Sequence, residues 1–516
     1  MKNRSAARAK TGLMIAVILV LIFVAACGNG NNTGKNTDSS PAPSGKTGTS
    51  QNNENTPVPQ AKPLEIDFMN VYFTAEPPKA DNPALKFIQE KTNTKLNMIW
   101  VPDSAYVDKI NITLASNSLP HLLVIQENKQ PTVISSVRAG MFWELGPYLK
   151  DHPNLSKLNP DLLRNISVDG KVYGIYRQRD LSRGGLIYRQ DWLDKVGMKP
   201  PVTLDDFYKM LQAFTNDDPD GNGQQDTVGL TLSKNLRGDI KNFKVWFGAP
   251  KDYEEKDGKI TPDFLTQEFL DMMNFLRKAY AEKLINADFP IVPDAKDPFK
   301  QQKAGSVFYC MCDVPDGIFD DIVKNNANAK IDFTNLLEGP KGRVTGADQG
   351  YNGVFMIPKT SVKTEDELKQ ILTFLDTLAG DEISSFLDTG VDGVHSSIVD
   401  GKIVRTEEYS KDLVPFNQMR IVLSKAPPAD EVYEKLFSLY AENEKVAIHS
   451  PVLPFTSKTV AEKGTQLTQI ITDAMIKYIM GQIDEAKWNA ALEEWKKTGG
   501  LDLIHDYEVE LANARK

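Results

Sequence analysis

Residues 64–69, LEIDFM, alternate apolar and polar side chains with the period of two that is typical of a β-strand. Residues 122–125, LLVI, form a short apolar run that predicts a buried strand. Between them, residues 83–91 and 104–116 have apolar residues at the spacing of helices. Strands that alternate with helices indicate an α/β fold, with lobes built on largely parallel sheets.

Two capping boxes mark the starts of further helices, because a Thr side chain and an acid three residues later can each bond the other's backbone N–H. They are Thr203 with Asp206 and Thr364 with Glu367, each before an apolar stripe at helical spacing. The C-terminal third has two more stripes, so we expect the chain to end in helices. Their residues are Leu467, Ile470, Ile471, Ala474, Met475, Tyr478 and Ile479, then Trp488, Ala491, Leu492 and Trp495.

The first 26 residues have the order of a secretory signal peptide. Four basic residues among the first ten precede an apolar run from Leu13 to Ala26, and Cys27 follows. The run is shorter than the roughly 20 apolar residues that a transmembrane helix needs, so a membrane span is the weaker interpretation. The sequence VAAC at 24–27 resembles a bacterial lipobox, and this resemblance implies that Cys27 is acylated and anchors the protein to a membrane.

Residues 28–62 are mostly Asn, Gly, Ser, Thr and Pro, with almost no apolar side chains. Such a segment cannot bury enough surface to offset the entropy of ordering it, so 27–62 is predicted to be a lipidated cysteine followed by a disordered tether. A flexible chain of this length spans about 30 to 35 Å. We therefore expect a folded body held at the extracellular face of the bacterial cytoplasmic membrane.

Roughly 450 residues follow the tether, which is enough for two lobes because a single core stops growing near about 250 to 300 residues. The formal net charge of −9 argues against nucleic acid as a partner. Apart from Cys27, the cysteines are Cys310 and Cys312. They are too close in sequence for an ordinary disulfide and too few for a zinc site, so we expect two small buried side chains on a strand.

Residues 218–227, DPDGNGQQDT, match most of a calcium-loop template, with Gly223 at the turn position. Gly229 stands where an EF-hand has its bidentate glutamate, so we expect an incomplete, structural calcium site with an affinity near about 0.1 to 1 mM. The alternative is a polar surface turn, but its three carboxylates would repel one another without a cation. The candidate ligands are Asp218, Asp220, Asn222, Gln224 through its backbone carbonyl, and Asp226.

Three longer segments carry a more specific resemblance: VDGKVYGI at 168–175, LIYRQDWL at 186–193 and AFTNDDPDGNGQQDTVGLT at 213–231. In order and spacing they resemble extracellular solute-binding proteins of family 1, the lipoprotein receptors of bacterial carbohydrate ABC transporters. The likeness is greatest to large Gram-positive members similar to the calcium-containing alginate-oligosaccharide receptors. One departure is His121 after Pro120, where the family usually has Asp.

The resemblance implies a two-lobed, periplasmic-binding-protein-like fold with crossover hinge segments and a helical C-terminus. Residues 64–180 with 345–395 would form one lobe, and 186–340 with 400–516 the other. Segments 175–187 and 348–353 would cross between the lobes and line a cleft that closes on a sugar. The partners would then be an oligosaccharide and the permease subunits of an ABC transporter, and the protein would be a monomer.

Sugar sites combine aromatic faces for the apolar side of pyranose rings with polar groups for hydroxyls. Trp246, followed by Phe247, is the favoured stacking platform, and Arg177 and Arg179 could pair either with a uronic-acid carboxylate or with Asp180. For each candidate the alternative is core packing or a solvated surface. The candidates at strand ends and crossings are Tyr72, Gln126, Trp143, Tyr176, Arg177, Arg179, Trp246, Tyr309, Asp313, Tyr351 and His395.

The main competing class is an enzyme, such as a surface glycosidase or polysaccharide lyase. The five histidines have no metal-ligand spacing and the chain has no Gly-x-Ser-x-Gly motif, so we favour a binding protein over an enzyme. Paired catalytic carboxylates stay open, because so many acidic residues always offer pairs. A peptide receptor also stays open, since its cleft would use the same residue types.

Overall fold

The computed structural model describes residues 62–74, 76–423 and 430–515, together with the backbone but not the side chain of Lys402. The predicted signal peptide, Cys27 and nearly all of the tether lie outside these residues. Among the described residues, none of the helices combines the length and the apolar character needed to cross a bilayer.

The strands follow the period-two patterns where these exist, with short hairpins between the longer elements. They are β1 (Leu64–Tyr72), β2 (Thr94–Pro102), β3 (Leu122–Ile125), β4 (Gly174–Gln178), β5 (Gly184–Arg189), β6 (Val228–Thr231), β7 (Tyr253–Lys256), β8 (Lys259–Pro262), β9 (Ala304–Cys310), β10 (Ile331–Thr334), β11 (Glu338–Gly339), β12 (Gly342–Arg343), β13 (Thr345–Gly346), β14 (Tyr351–Met356), β15 (Ser396–Val399), β16 (Lys402–Arg405) and β17 (Ala447–Ile448).

The helices include the two that the capping boxes predict and three long helices at the C-terminus. They are α1 (Pro83–Thr92), α2 (Asp103–Ser116), α3 (Pro131–Arg138), α4 (Pro160–Ile166), α5 (Gln190–Lys195), α6 (Leu204–Asn216), α7 (Leu236–Asp239), α8 (Phe243–Trp246), α9 (Gln267–Ala281), α10 (Lys296–Lys300), α11 (Asp320–Asn325), α12 (Glu365–Leu378), α13 (Asp381–Thr389), α14 (Glu407–Asp412), α15 (Glu431–Val446), α16 (Lys458–Ile479), α17 (Glu485–Trp495) and α18 (Leu501–Ala514).

Two sheets form the centres of two lobes. The first has the strand order β2-β1-β3-β14-β4 and the second β10-β5-β9-β6. In the first sheet β1 runs parallel to β2 and β3, but β14 is antiparallel to both of its neighbours; in the second, only β6 and β9 are parallel. The prediction of largely parallel sheets is therefore wrong. The reason is the crossing: β4 ends and β14 begins at the edge where the chain passes between lobes, so the two must run in opposite directions.

Each lobe has its own apolar core, because an α/β sheet must cover both faces. The first core surrounds β1, β3 and β14, and the second combines β5, β6 and β9 with the C-terminal helices. The expectation that all of 400–516 belongs to the second lobe is wrong for residues 409–421. Their apolar side chains pack into the first core, and the Gln178 N–H at the end of β4 donates to the Ile421 carbonyl at 2.9 Å.

The predicted helix starts are confirmed at both capping boxes, where the Thr203 and Thr364 hydroxyls each accept from the N3 backbone N–H. The predicted C-terminal helical faces are buried, including Leu467, Trp488 and Trp495. Strand β2 has no counterpart in the sequence-based expectation. From Thr94 to Trp100 its exposed residues alternate with buried or half-buried ones, as expected of a strand at the edge of a sheet with one face on the core.

Cys310 and Cys312 are joined by a disulfide, contrary to the prediction of two free thiols. The prediction assumed that the strand continued through both residues. Instead β9 ends at Cys310, and a 3-10 turn over Met311–Asp313 brings the two Cα atoms to 5.2 Å, within the usual range for a disulfide.

Candidate functional site

The first passage between the lobes is the segment 179–183, which joins the last strand of the first sheet to β5. The second runs through 347–350 into β14, and its Asp348 N–H donates to the Leu181 carbonyl of the first. Two adjacent crossings bonded to each other form a hinge at which side chains from both lobes meet.

Two cavities lie beside this hinge and share Arg183. The arginine pocket has a volume of about 310 Å³ and is lined by Arg179, Asp180, Arg183, Cys312, Asp316, Asp388, Arg405, Tyr409, Val414, Asn417, Arg420, Leu423, Tyr433, Leu436, Phe437 and Tyr440. The aromatic pocket has a volume of about 330 Å³ and is lined by Arg183, Gly184, Gly185, Asn235, Gly238, Asp239, Lys241, Asn242, Phe243, Trp246, Phe308, Tyr309, Cys310 and Asp348.

Arginine outnumbers carboxylate in the arginine pocket. Arg420 forms a bidentate pair with Asp388, at 2.7 and 3.0 Å, and Arg405 lies 3.9 Å from the same carboxylate. Arg179 donates instead to the carbonyls of Gln178 and Asn417, and the Arg183 Nε is buried without a partner among the described residues. Burial and the neighbouring arginine charges lower the pKa of the Arg179 guanidinium well below its usual value. A ligand carboxylate here would relieve that repulsion.

The surroundings of the acids at the hinge shift their pKa values upward. Burial is the main cause that raises the pKa of Asp180 and of Asp316. Burial, followed by the charge of Asp316, raises the pKa of Asp313 to about 7. Of these carboxyls, Asp313 can donate a hydrogen bond near neutral pH, because its pKa of about 7 leaves it partly protonated there.

The aromatic pocket is built from α8 and the end of β9. The rings of Phe243 and Phe308 lie 4.8 Å apart, and the Trp246 Nε1–H donates to the Asn335 carbonyl at 3.1 Å. The Asn242 amide donates to the Gly184 carbonyl at 2.9 Å, while its Oδ1 is buried without a partner in the part of the chain that the structure describes. Trp246, the favoured stacking platform, is only 1% exposed and packs in the second core with Phe243 and Phe308, which is the core alternative. The half-buried Tyr309 is the ring most open to the pocket, beside an acceptor with an unmet hydrogen bond.

Of the residues predicted to contact ligand, the structure brings three to these cavities: Arg179 in the arginine pocket, and Trp246 and Tyr309 in the aromatic pocket. Asp313 lines neither pocket, although it directly follows Cys312, which lines the arginine pocket. Phe247 packs against the second core instead.

The other candidates lie outside both pockets. The Tyr176 hydroxyl accepts from the Asn159 N–H at 2.7 Å, the Tyr351 hydroxyl donates to Asn128 at 3.1 Å, and the Trp143 Nε1–H donates to the Val362 carbonyl at 2.8 Å. All three rings pack with the first core, so core packing, the alternative to ligand binding, holds for each of them.

Arg177 is fully buried and bonded to Gln418, and burial lowers its pKa to about 10. His395 is equally buried, where its Nδ1 accepts from the Val391 N–H at 2.9 Å and its Nε2 lies 3.3 Å from Asp412. Gln126 donates to Asp103, and Tyr72 is half-buried at the end of β1. These four side chains do not reach the pockets, because strand ends in one lobe do not all face the hinge.

Sequence reasoning missed Arg183, Arg405, Arg420, Tyr433 and Phe437. Arg183 lies inside 175–187, the segment predicted to cross between the lobes, so its position in the sequence could have indicated a cleft residue. On α15 the aromatic residues recur at helical spacing, a pattern that predicts core packing as readily as a cleft.

The loop 218–227 brings its polar side chains together outside the cleft. Asp218 accepts from the N–H groups of Gly221 and Gly223, both at 3.1 Å. The Asn222 amide donates to Asp220 at 2.9 Å and to Asp226 at 3.1 Å. Burial and the adjacent carboxylates raise the pKa of Asp220. Several carboxylate oxygens therefore lie close together around the Asn222 amide, and such a group of oxygens is suited to bind a hard cation.

The family of bacterial extracellular solute-binding proteins matches residues 68–383. The chain belongs to this family. Among its relatives is the polygalacturonan/rhamnogalacturonan-binding protein YtcQ of Bacillus subtilis (strain 168), 38% identical over 93% of this chain and 95% of the relative. Lipoprotein LipO of the same organism is 40% identical over 86% of this chain and 91% of its own.

Among solved structures, the alginate-binding protein AlgQ2 without calcium ion superposes with a TM-score of 0.64. The two are 18% identical over 87% of this chain and 98% of that one, so the likeness concerns the fold. The predicted two-lobed α/β fold of a solute-binding protein, with its helical C-terminus, is therefore confirmed.

Proposed function

We propose that this solute-binding protein is the receptor of a carbohydrate ABC transporter, which captures an oligosaccharide at the hinge and presents it to the permease subunits. The observation that carries the proposal is the pair of pockets around Arg183, where charged groups from both lobes lie beside aromatic side chains. Carbohydrate needs both ring faces and directional polar groups. Similarity to YtcQ supports an acidic, pectin-like oligosaccharide as the ligand, and the arginines of the cleft agree with a carboxylate-bearing sugar.

The function is binding without catalysis. The protein is incubated with oligogalacturonates, with neutral oligosaccharides and with peptides, its thermal midpoint is recorded, and the ligand is recovered for mass spectrometry. A sugar at about 100 times its dissociation constant adds roughly 2.7 kcal/mol to the free energy of unfolding, so the midpoint rises by a few degrees. Recovery of shortened or unsaturated sugar would identify a hydrolase or lyase instead, and a shift with peptides alone would identify a peptide receptor.

The proposal includes a lipid anchor on Cys27 at the extracellular face of the cytoplasmic membrane, supported by the lipobox-like sequence and by similarity to lipoprotein LipO. Cys27→Ala should release the protein from the membrane fraction. Retention of the variant in membranes would contradict the anchor.

Calcium in the 218–227 loop is part of the same proposal, with Asp218, Asp220, Asn222, Asp226 and the Gln224 carbonyl as ligands. Calcium should raise the thermal midpoint of the protein and chelator should lower it. Asp220→Asn should abolish the difference, whereas Asp217→Asn, an exposed acid beside the loop, should preserve it. An equal response of both variants would remove calcium from the proposal.

A further inference from the structure

A third cavity lies between the lobes beside α7, and we call it the α7 cavity. Its volume is about 560 Å³. Glu127 and Lys129 of the first lobe line it together with Arg237 of α7 and side chains of the C-terminal helices. The next residues of α7, Gly238 and Asp239, line the aromatic pocket, so the two spaces meet at this helix. Because both lobes border the α7 cavity, a movement about the hinge changes its width.

The guanidinium of Arg237 is poorly paired. It lies over the ring of Phe264, 5.4 Å from the centroid, and 3.7 Å from the Asp263 carboxylate. That carboxylate is fully buried and already accepts from the Lys244 ammonium and from the Phe264 N–H, the latter at 2.8 Å. Among the described residues the guanidinium makes no hydrogen bond, and 28% of the side chain is exposed, so its N–H donors are open to the cavity.

A chain of ion pairs connects Arg237 to the hinge. Its members, in order, are Arg237, Asp263, Lys244, Asp252, Lys251, Asp348 and Lys241, and successive groups lie no more than 4.0 Å apart. Lys244 and Lys251 are buried, and the Asp348 N–H donates to the other crossing at the Leu181 carbonyl. The chain joins four basic side chains to three acidic ones, so one positive charge is unmatched among the described residues. An acid at the exposed end of the chain would offset that charge.

Glu127 is the one acidic side chain among the described residues that line the α7 cavity. It follows β3 in the first lobe and is exposed, and its carboxylate has no hydrogen bond or ion pair within the part of the chain that the structure describes. Its neighbour Lys129 donates instead to the carbonyls of Ser167 and Pro454, the latter at 3.1 Å. The Glu127 carboxylate is therefore available to a cation of the opposite lobe.

We infer that Glu127 and Arg237 form an ion pair across the α7 cavity when the lobes close, and that this pair stabilises the closed form. Glu127 supplies the negative charge that the chain of ion pairs lacks. Because the same chain includes Asp348 at the second crossing, the contact between the lobes is tied to the hinge itself. This pairing concerns the movement of the lobes, whichever ligand binds, and so goes beyond the proposed function.

Double electron–electron resonance on the full-length protein in detergent measures this movement. Spin labels are attached at Ser135→Cys on α3 and Gln466→Cys on α16, two exposed positions in different lobes, while Cys310 and Cys312 are held in their disulfide. Distances are recorded without sugar and with trigalacturonate, and the ratio of closed to open molecules is read from the short- and long-distance populations. In the wild-type protein this ratio should fall with added salt, because screening weakens a partly exposed pair.

Glu127→Gln and Arg237→Gln should each lower the ratio of closed to open molecules by about two- to fivefold, the range expected for a partly exposed ion pair. The double variant should lower it no further than either single variant, because the same contact is lost in all three. Arg237→Lys keeps the charge and should retain most of the ratio. Glu144→Gln is the matched control, since it breaks a partly exposed pair with Lys171 inside the first lobe and should leave the ratio unchanged.

Distance distributions of both single variants that match wild type, with and without sugar, would overturn the inference and leave the proposed function intact. A loss in Arg237→Gln that Glu127→Gln does not share would also overturn it, and a matching loss of affinity for trigalacturonate would assign Arg237 to a ligand carboxylate. If trigalacturonate does not bind wild type, the sugar-free distances and their salt dependence decide the inference, and only the acidic ligand of the proposed function fails. If Arg237→Gln does not fold, the exposed Glu127→Gln decides.

Discussion

Asp313 follows β9 at the hinge, where burial and Asp316 raise the pKa of its carboxyl from 3.8 to about 7. Since the folded-state pKa is the higher one, the folded protein keeps a proton that the unfolded chain loses above about pH 4. Asp313 therefore favours folding at low pH, and that contribution declines as pH rises from about 4 through about 7. We expect Asp313→Asn to remove the decline and to be more stable than wild type at pH 8.

Urea unfolding at pH 5 and pH 8 measures this effect. Asp217→Asn removes an exposed carboxylate and should change both values equally. A wild-type pH dependence that persists in Asp313→Asn would show that Asp313 is not the titrating group.

Gly305 in β9 faces the ring of Phe214, and a Cβ at this position would lie 2.1 Å from that ring. Because α6 is packed on the sheet by this contact, Gly305→Ala should lower the free energy of unfolding by about 1 to 3 kcal/mol. At Gly146 the nearest atom to an added Cβ is 3.6 Å away, so Gly146→Ala should cost less than about 1 kcal/mol. Chemical denaturation of both variants would reveal the contrast, and equal losses would contradict it.

At the scale of elements, the two capping boxes stabilise helices in different lobes, α6 in the second and α12 in the first. Thr203→Ala and Thr364→Ala each remove one acceptor for a helix N-terminal N–H, so each should cost about 1 kcal/mol of unfolding free energy. Thr373→Ala inside α12 removes a hydroxyl that bonds only its own helix and should cost less. Hydrogen exchange would show the loss confined to the lobe that carries each substitution. Loss spread evenly over both lobes would contradict independent cores.

For the whole molecule, one hydrogen-bonded chain crosses the cleft. The Arg405 guanidinium, which also donates to the Asp388 carbonyl beside the first core, donates to the Tyr433 hydroxyl at 2.5 Å, and that hydroxyl donates to Asp316 of the second lobe at 2.7 Å. Tyr433→Phe removes both bonds, so we expect a more open protein without ligand and a several-fold weaker apparent affinity. Small-angle scattering should show a larger radius of gyration.

Tyr440→Phe is the control for ligand-free scattering. This tyrosine is on the same helix, and its hydroxyl has no partner among the described residues. Its radius of gyration should equal that of wild type. If Tyr433→Phe also matches wild type, the crossing bond does not hold the lobes together.

The features that can be predicted from the sequence are those that depend on neighbouring residues. Alternation at 64–69 predicts β1, and the acid three residues after Thr203 predicts the start of α6. The cation loop at DPDGNGQQDT stays a prediction. Ordered motifs along the chain also identified the family and its two-lobed fold. Each of these patterns spans a short stretch whose physics is local.

Which side chains meet in the cleft depends on the packing of segments that are far apart in the sequence. Arg183, Arg405 and Tyr433 lie on three separate stretches of chain and come together because the chain crosses the hinge repeatedly. The same crossings make β14 run antiparallel to its neighbours. The turn that allows Cys310 to form a disulfide with Cys312 has no periodic pattern in the sequence that would predict it. Tyr176 and Tyr351 are of a residue type common in sugar sites, yet both pack in the first core. The direction of each side chain is set by the packing of the whole lobe.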